Sequence, residues 1–160
     1  MQQVWISKTD DGLDREVAAA LKWLDWESIV AKDARVSIKP NLTYPTHKPG
    51  VTTSPRMLEA VIKLISSRTR NINVVESDGG SYAWPADEAF KGHGIDVMCD
   101  RYGARAVNLT NYPRESVETE IAGRRVAIEM SQLLTRETDA FITMPVPKLH
   151  MMTRVSLGFK

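Results

Sequence analysis

Apolar residues recur along this chain in two rhythms. At helical spacing, Leu13, Val17, Ala20, Leu21 and Leu24 share one face, with Asp10 and Asp11 ahead of them as caps. Leu58, Val61, Ile62 and Ile65 form a second stripe after Ser54-Pro55, a hydroxyl cap followed by proline at the first helical position. Shorter helices are predicted from Pro85 to Lys91, stopping at Gly92, and from Ser131 to Arg136. In the other rhythm, short apolar runs read as strands: Val4 to Lys8, Val36 to Ile38, Asn71 to Glu76 and Ala140 to Met144, with weaker candidates at Ile95 to Cys99 and Ala106 to Leu109. Val117-Thr119-Ile121 and Val126-Ile128 alternate around Ala122-Gly123, the signature of a hairpin.

Strands separated by crossovers of about 20 to 30 residues predict an α/β fold with a doubly wound, mostly parallel, Rossmann-like sheet. The hairpin would decorate one edge of it. The runs at 71–76 and 140–144 are apolar enough for central strands. The whole chain, 1–160, reads as a single domain. Thr153 to Lys160 reads as the opening of an element with no glycine or proline stop after it, so the chain is expected to be the truncated front part of a longer protein.

Composition narrows the class. The 42% apolar and 26% charged fractions are those of a soluble globular protein. Basic and acidic side chains balance at 21 to 20, which gives no field to steer nucleic acid or an anionic membrane, so any preference for an anion must be local. No signal-peptide core and no apolar stretch near the roughly 20 residues of a membrane span is present. Cys99 is the only cysteine, which excludes an internal disulfide and a cysteine-ligated iron–sulfur cluster within these residues. A cytoplasmic location is the expectation.

Several apolar runs end abruptly in polar clusters, and an open parallel sheet binds its ligand beyond the carboxyl ends of its strands. Lys39-Pro40-Asn41 puts an ammonium at a strand tip, suited to a carboxylate, phosphate or polarised carbonyl, beside an amide that donates and accepts. Thr53 and Ser54 stand at a helix start, where free N–H groups favour anions. In Glu76-Ser77-Asp78-Gly79-Gly80-Ser81 the glycines permit close backbone approach and Asp78 is a candidate base, although the loop is neither a dinucleotide fingerprint nor a Walker A loop. Lys148 and His150 follow two stiffening prolines and share a face if extended, giving charge stabilisation and a proton acceptor. Tyr82 and Trp84 would wall a pocket beside Asp78. His47 and His93 have no partner at metal spacing and read as surface residues, no metal ligands are proposed, and Arg124-Arg125 reads as a solvated edge that discourages strand pairing.

Taken in order, Val36-Ser37-Ile38-Lys39-Pro40-Asn41-Leu42, Thr52-Thr53-Ser54-Pro55, Glu76-Ser77-Asp78-Gly79-Gly80 and Val146-Pro147-Lys148-Leu149-His150 with Thr153 resemble the DUF362 family, over nearly the whole chain. That resemblance implies an α/β core of unestablished activity. Many members carry ferredoxin-like iron–sulfur segments, so an iron–sulfur cluster or a redox role would need a ferredoxin-like partner or a segment outside these residues. The layout also looks like the N-terminal half of nickel-pincer lactate racemases, though without motif identity. The resulting expectation is a site for a small anionic metabolite or cofactor. Lys39, Asn41, Thr53, Ser54, Gly79, Gly80 and Ser81 would bind it, and Asp78, Lys148 and His150 would orient it or move protons. A non-catalytic accessory or electron-transfer module and a nickel-cofactor racemase-like enzyme are the alternatives.

Overall fold

The computed structural model describes residues 3–9, 12–79, 84–151 and 154–158. Its centre is a four-stranded parallel sheet made of β1 (Val36–Pro40), β2 (Ile72–Glu76), β3 (Arg105–Asn108) and β6 (Ala140–Met144), in the order β3-β2-β1-β6. Helix α3 (Pro55–Ile65) crosses from β1 to β2, and α4 (Ala86–Gly92) with α5 (Ile95–Tyr102) cross from β2 to β3. Both crossovers step in one direction, so right-handed connection puts them on one face. There α1 (Leu13–Trp23) and the short α2 (Trp26–Ile29) join them. Val36, Ile38, Ile72 and Val74 form the floor of this layer, under Leu58, Ile62 and Ile65 of α3 and Ile95 of α5, all buried. Each such side chain contributes about 2 kcal/mol through removal of apolar surface from water.

The return from β3 to β6 passes over the opposite face. It carries a 3₁₀ turn (Leu109–Asn111), the hairpin β4 (Arg114–Ile121) and β5 (Arg124–Ser131), and α6 (Gln132–Arg136). Val75 points to this side, one residue from Val74, and packs with Leu109 and Leu133 in a second, smaller cluster. The sheet is thus covered on both faces, thickly on one and thinly on the other, which is the α/β arrangement expected. The hairpin ladder runs from Ile121↔Arg124 to Arg114↔Ser131 and pairs only with itself among the described residues.

Three expectations are corrected. Residues 4–8 form no strand: Val4 and Ile6 are exposed, and Trp5 instead packs on Trp23, with ring centroids 5.9 Å apart. Ile95 to Cys99 belongs to helix α5, not to a strand. Gly94 and Gly103, both in the left-handed region, bracket it, and Ile95, Met98 and Cys99 bury one face at helical spacing. Ala140 to Met144 lies at the edge of the sheet, not in its middle, with an alternating burial pattern and Phe141 half-exposed. Met1, Gln2, the proposed caps Asp10 and Asp11, Gly80, Ser81, Tyr82, Thr153 and Lys160 lie outside the described residues.

An ionic clamp fixes that edge strand beside β1. The Arg35 Nη2 meets Asp139 Oδ1 at 2.6 Å, its Nε and backbone N–H both donate to Asp139 Oδ2, and its Nη1 donates to the Arg136 carbonyl. This bidentate pairing holds the Asp139 carboxyl down at about 2, well below its usual range. One step along, buried Ser37 shares a 2.7 Å hydrogen bond with Thr138, whose hydroxyl donates to the Leu133 carbonyl.

Candidate functional site at the carboxyl rim

Parallel pairing in register, Lys39 beside Thr143 and Pro40 beside Met144, brings the ends of β1 and β6 to one rim with the end of β2. Lys39 is not a free cation there. Its Nζ lies 2.8 Å from Glu76 Oε1 and 3.0 Å from Oε2, and Glu76 Oε1 also accepts the Ser77 N–H. The Glu76 side chain is only 12% exposed, whereas the Lys39 side chain keeps 37% of its surface open. Neighbouring strand tips therefore hold one another, and the Lys39 side chain is held in a fixed position while staying partly open to solvent.

Several residues expected to grip a ligand instead build the rim. Thr53 Oγ1 accepts the Asn41 N–H at 2.8 Å and donates to the Met144 carbonyl at 2.6 Å, tying β1 to β6. The Asn41 side chain donates to the Val51 carbonyl and accepts from the Thr43 hydroxyl. Lys148, on strand β7 (Lys148–His150), donates to the same Val51 carbonyl at 2.9 Å, so it joins Asn41 through a shared acceptor. Ser54 occupies the cap position of α3 but makes no side-chain cap bond, so the cap is conformational and not the hydroxyl contact expected. Asp78 Oδ1 accepts both the Ala86 N–H, at the start of α4, and the Asn108 Nδ2. Its backbone N–H donates to Thr110, which leaves Asp78 as the anchor of its loop. His150 stands on β7, facing β8 (Arg154–Ser156) through the pair His150↔Arg154. Gly79 sits beside Asp78, and Trp84, as anticipated, walls the hollow there.

His93 was expected at the surface and is buried, at 6% exposure. It caps the end of α4 and its Nε2 bonds the Tyr44 carbonyl at 3.0 Å, while Nδ1 is buried without a partner among the described residues. Desolvation pulls its pKa below the ordinary 6.5, against the Tyr44 bond, and the nearby His47 adds to the lowering. The loop 41–53 is pressed so closely onto α4 that a Cβ at Gly92 would stand 1.8 Å from the Pro45 carbonyl oxygen. Burial pushes the Cys99 thiol up to about 12, making it an unreactive packing residue.

Two hollows open on the rim and share Lys39 and Asn41. One, of 290 Å³, is bordered by Glu76, Ser77, Asp78, Gly79 and Trp84, so two carboxylates face one ammonium. The other, also 290 Å³, lies over the thinly covered face, with Phe141, Thr143, Pro145, Ser156 and Gly158, and Lys39 is the only charged lining residue among the described residues. A larger hollow of 620 Å³ between α1 and α3 is remote from the rim, and its Asp14 and Lys63 pair with each other. Phe141 and Thr143 were not anticipated as site residues. They alternate along β6 on the face that Lys39 occupies on β1, a relation that the sequence conceals until the register is known. No group of three or more metal-ligating side chains occurs among the described residues, and no helix there is long and apolar enough to cross a membrane.

The family model described as a domain of unknown function, DUF362, matches residues 36–160, from the first residue of β1 onward. The chain belongs to the DUF362 family. No curated protein and no solved structure matches it. All four rim clusters fall within the DUF362 match, while α1 and α2 precede it.

Proposed function

We propose that this DUF362 protein binds a small anionic ligand with a flat apolar part in the hollow between Lys39, Phe141, Thr143 and Ser156. The observation that carries this reading is the charge asymmetry of the two rim hollows. On the Asp78 side, Lys39 is outnumbered by Glu76 and Asp78, whereas on the Phe141 side it is the one charged group among the described lining residues. A carboxylate or phosphate entering from the Phe141 side meets the open part of the Lys39 ammonium and two hydroxyl donors. The 49% exposed Phe141 ring offers an apolar face below it. Glu76 keeps Lys39 in place and also competes with the ligand for it. Asn41, Thr53, Asp78 and Lys148 shape the rim through the bonds described above, and binding without chemistry is the function proposed.

Native mass spectrometry of the protein purified under gentle conditions tests this. A co-purifying small acid should be found with the wild type and be lost from Lys39→Met. Equal retention by both would remove Lys39 from the site.

A further inference from the structure

The hairpin projects from the body with one apolar and one charged face. Cross-strand pairs Val117↔Ile128 and Thr119↔Val126 lie on the first; Glu118↔Ala127, Ser116↔Glu129 and Glu120↔Arg125 lie on the second. Ile121, Val126 and Ile128 are exposed, and an isolated two-stranded ribbon has little stability of its own in water. Its turn has two residues, Ala122 and Gly123, with φ 50° and 76°, the type I′ pattern. In such a hairpin the flanking pair, Ile121 and Arg124, is hydrogen-bonded, and bonded pairs alternate along the ladder. Counting from there, the N–H and C=O groups of Arg125, Ala127 and Glu129 point away from β4. Among the described residues they form an unpaired edge.

We infer that this edge pairs with the same edge of a second copy, antiparallel, about a two-fold axis at Ala127. Five two-fold positions use the outward groups, and those centred on Val126 or Ile128 set Ala127 opposite Arg125 or Glu129 and form no pair of opposite charges between the copies. Centring on Arg125 sets arginine against arginine, and centring on Glu129 sets glutamate against glutamate. Centring on Ala127 sets Arg125 opposite Glu129 of the second copy, twice, with the small Ala127 side chains facing each other. The same register places Val126 beside Ile128 of the second copy on the other face, so the two apolar faces merge. Neither Arg125 nor Glu129 has an ion pair or side-chain hydrogen bond among the described residues that this pairing would break. The charges that ward off other strands thus select one register of self-pairing. The product is a four-stranded antiparallel sheet, β4-β5-β5-β4, shared by two copies.

Sedimentation velocity over a concentration series tests it with the full chain. The wild type should show a reversible monomer–dimer equilibrium. Glu129→Lys leaves the hairpin's own pairing intact, because Ser116 is its partner within the chain. It should weaken dimerisation on the order of tenfold through two like-charge contacts. The triple change Arg125→Glu, Glu129→Lys and Glu120→Lys, which keeps opposite charges facing each other at positions 120 and 125 of the hairpin, should restore the dimer, and far-ultraviolet circular dichroism should show both variants folded. A wild type that stays monomeric throughout, a dimer indifferent to Glu129→Lys, or a folded triple variant that remains monomeric would each overturn the pairing.

Discussion

Gly92→Ala tests how the rim is built. Gly92 is the last residue of α4, where replacing glycine by alanine ordinarily stabilises a helix by up to about 1 kcal/mol. Here the added methyl would lie 1.8 Å from the Pro45 carbonyl oxygen and 2.9 Å from its carbon, both backbone atoms. Ordinary contact begins near 3.4 Å, so the loop must retreat by about 1.6 Å. That retreat carries the Tyr44 carbonyl away from His93 Nε2, now 3.0 Å distant, and leaves a buried ring whose other nitrogen already lacks a partner. Overpacking costs about 1–3 kcal/mol. Stranding the buried N–H costs about 1–3 kcal/mol more. A net loss of about 3 kcal/mol is expected after the helical gain, a large part of a typical domain's stability. Urea unfolding followed by tryptophan fluorescence should show a lower midpoint at unchanged slope. A midpoint equal to or above that of the wild type would refute the close seating of the loop on α4.

Four further outcomes follow from the same geometry. Thr53→Val should cost about 2 kcal/mol in urea unfolding, because it leaves the half-buried Asn41 N–H and Met144 carbonyl without their partner. Since His93 has a lowered folded pKa, the unfolded chain binds its proton first as pH falls. Stability should therefore be full above about pH 6.5, decline as pH drops toward the lowered folded value and then level off; His93→Gln should flatten that slope in unfolding curves at stepped pH. Asp139→Asn should remove stability present above the ordinary carboxylate pKa, so the wild type and the variant converge as pH falls through about 2 in acid titrations followed by circular dichroism. Glu76→Gln should tighten binding of benzoate on the order of tenfold in calorimetric titration, because the competing carboxylate is gone while the amide still contacts Lys39.

The layered architecture was legible because parallel strands buried on both faces leave short runs rich in apolar residues, as in Ile72 to Val75, and crossover helices leave stripes such as Leu58, Val61, Ile62 and Ile65. Ile95 to Cys99 misled because a short β-branched run also fits one helical face; the two flanking glycines held the decision, since they bracket a helix of only eight residues. Ala140 to Met144 looked central because strand composition does not report which neighbours a strand receives. At the rim, the sequence placed Lys39 and Asp78 at strand ends but could not tell a free group from one already bonded. Asn41, Thr53 and Asp78 carry the residue types of a ligand site, yet their polar atoms close onto Val51, Met144, Ala86 and Asn108, up to 91 residues away. Phe141 and Thr143 stayed hidden for the same reason, since nothing local marks which face of β6 Lys39 shares. His93 lacked a local signal because its partner, Tyr44, lies 49 residues upstream.

The anion site at Lys39 is tested most directly by titrating benzoate and, separately, inorganic phosphate into isotopically labelled protein while amide resonances are followed by NMR. Saturable shifts should gather at Lys39, Asn41, Phe141, Thr143 and Ser156, with smaller changes around Asp78, and should disappear in Lys39→Met. Shifts centred on the Asp78 loop, or shifts at Phe141 and Thr143 that persist in Lys39→Met, would contradict an anion site organised by Lys39.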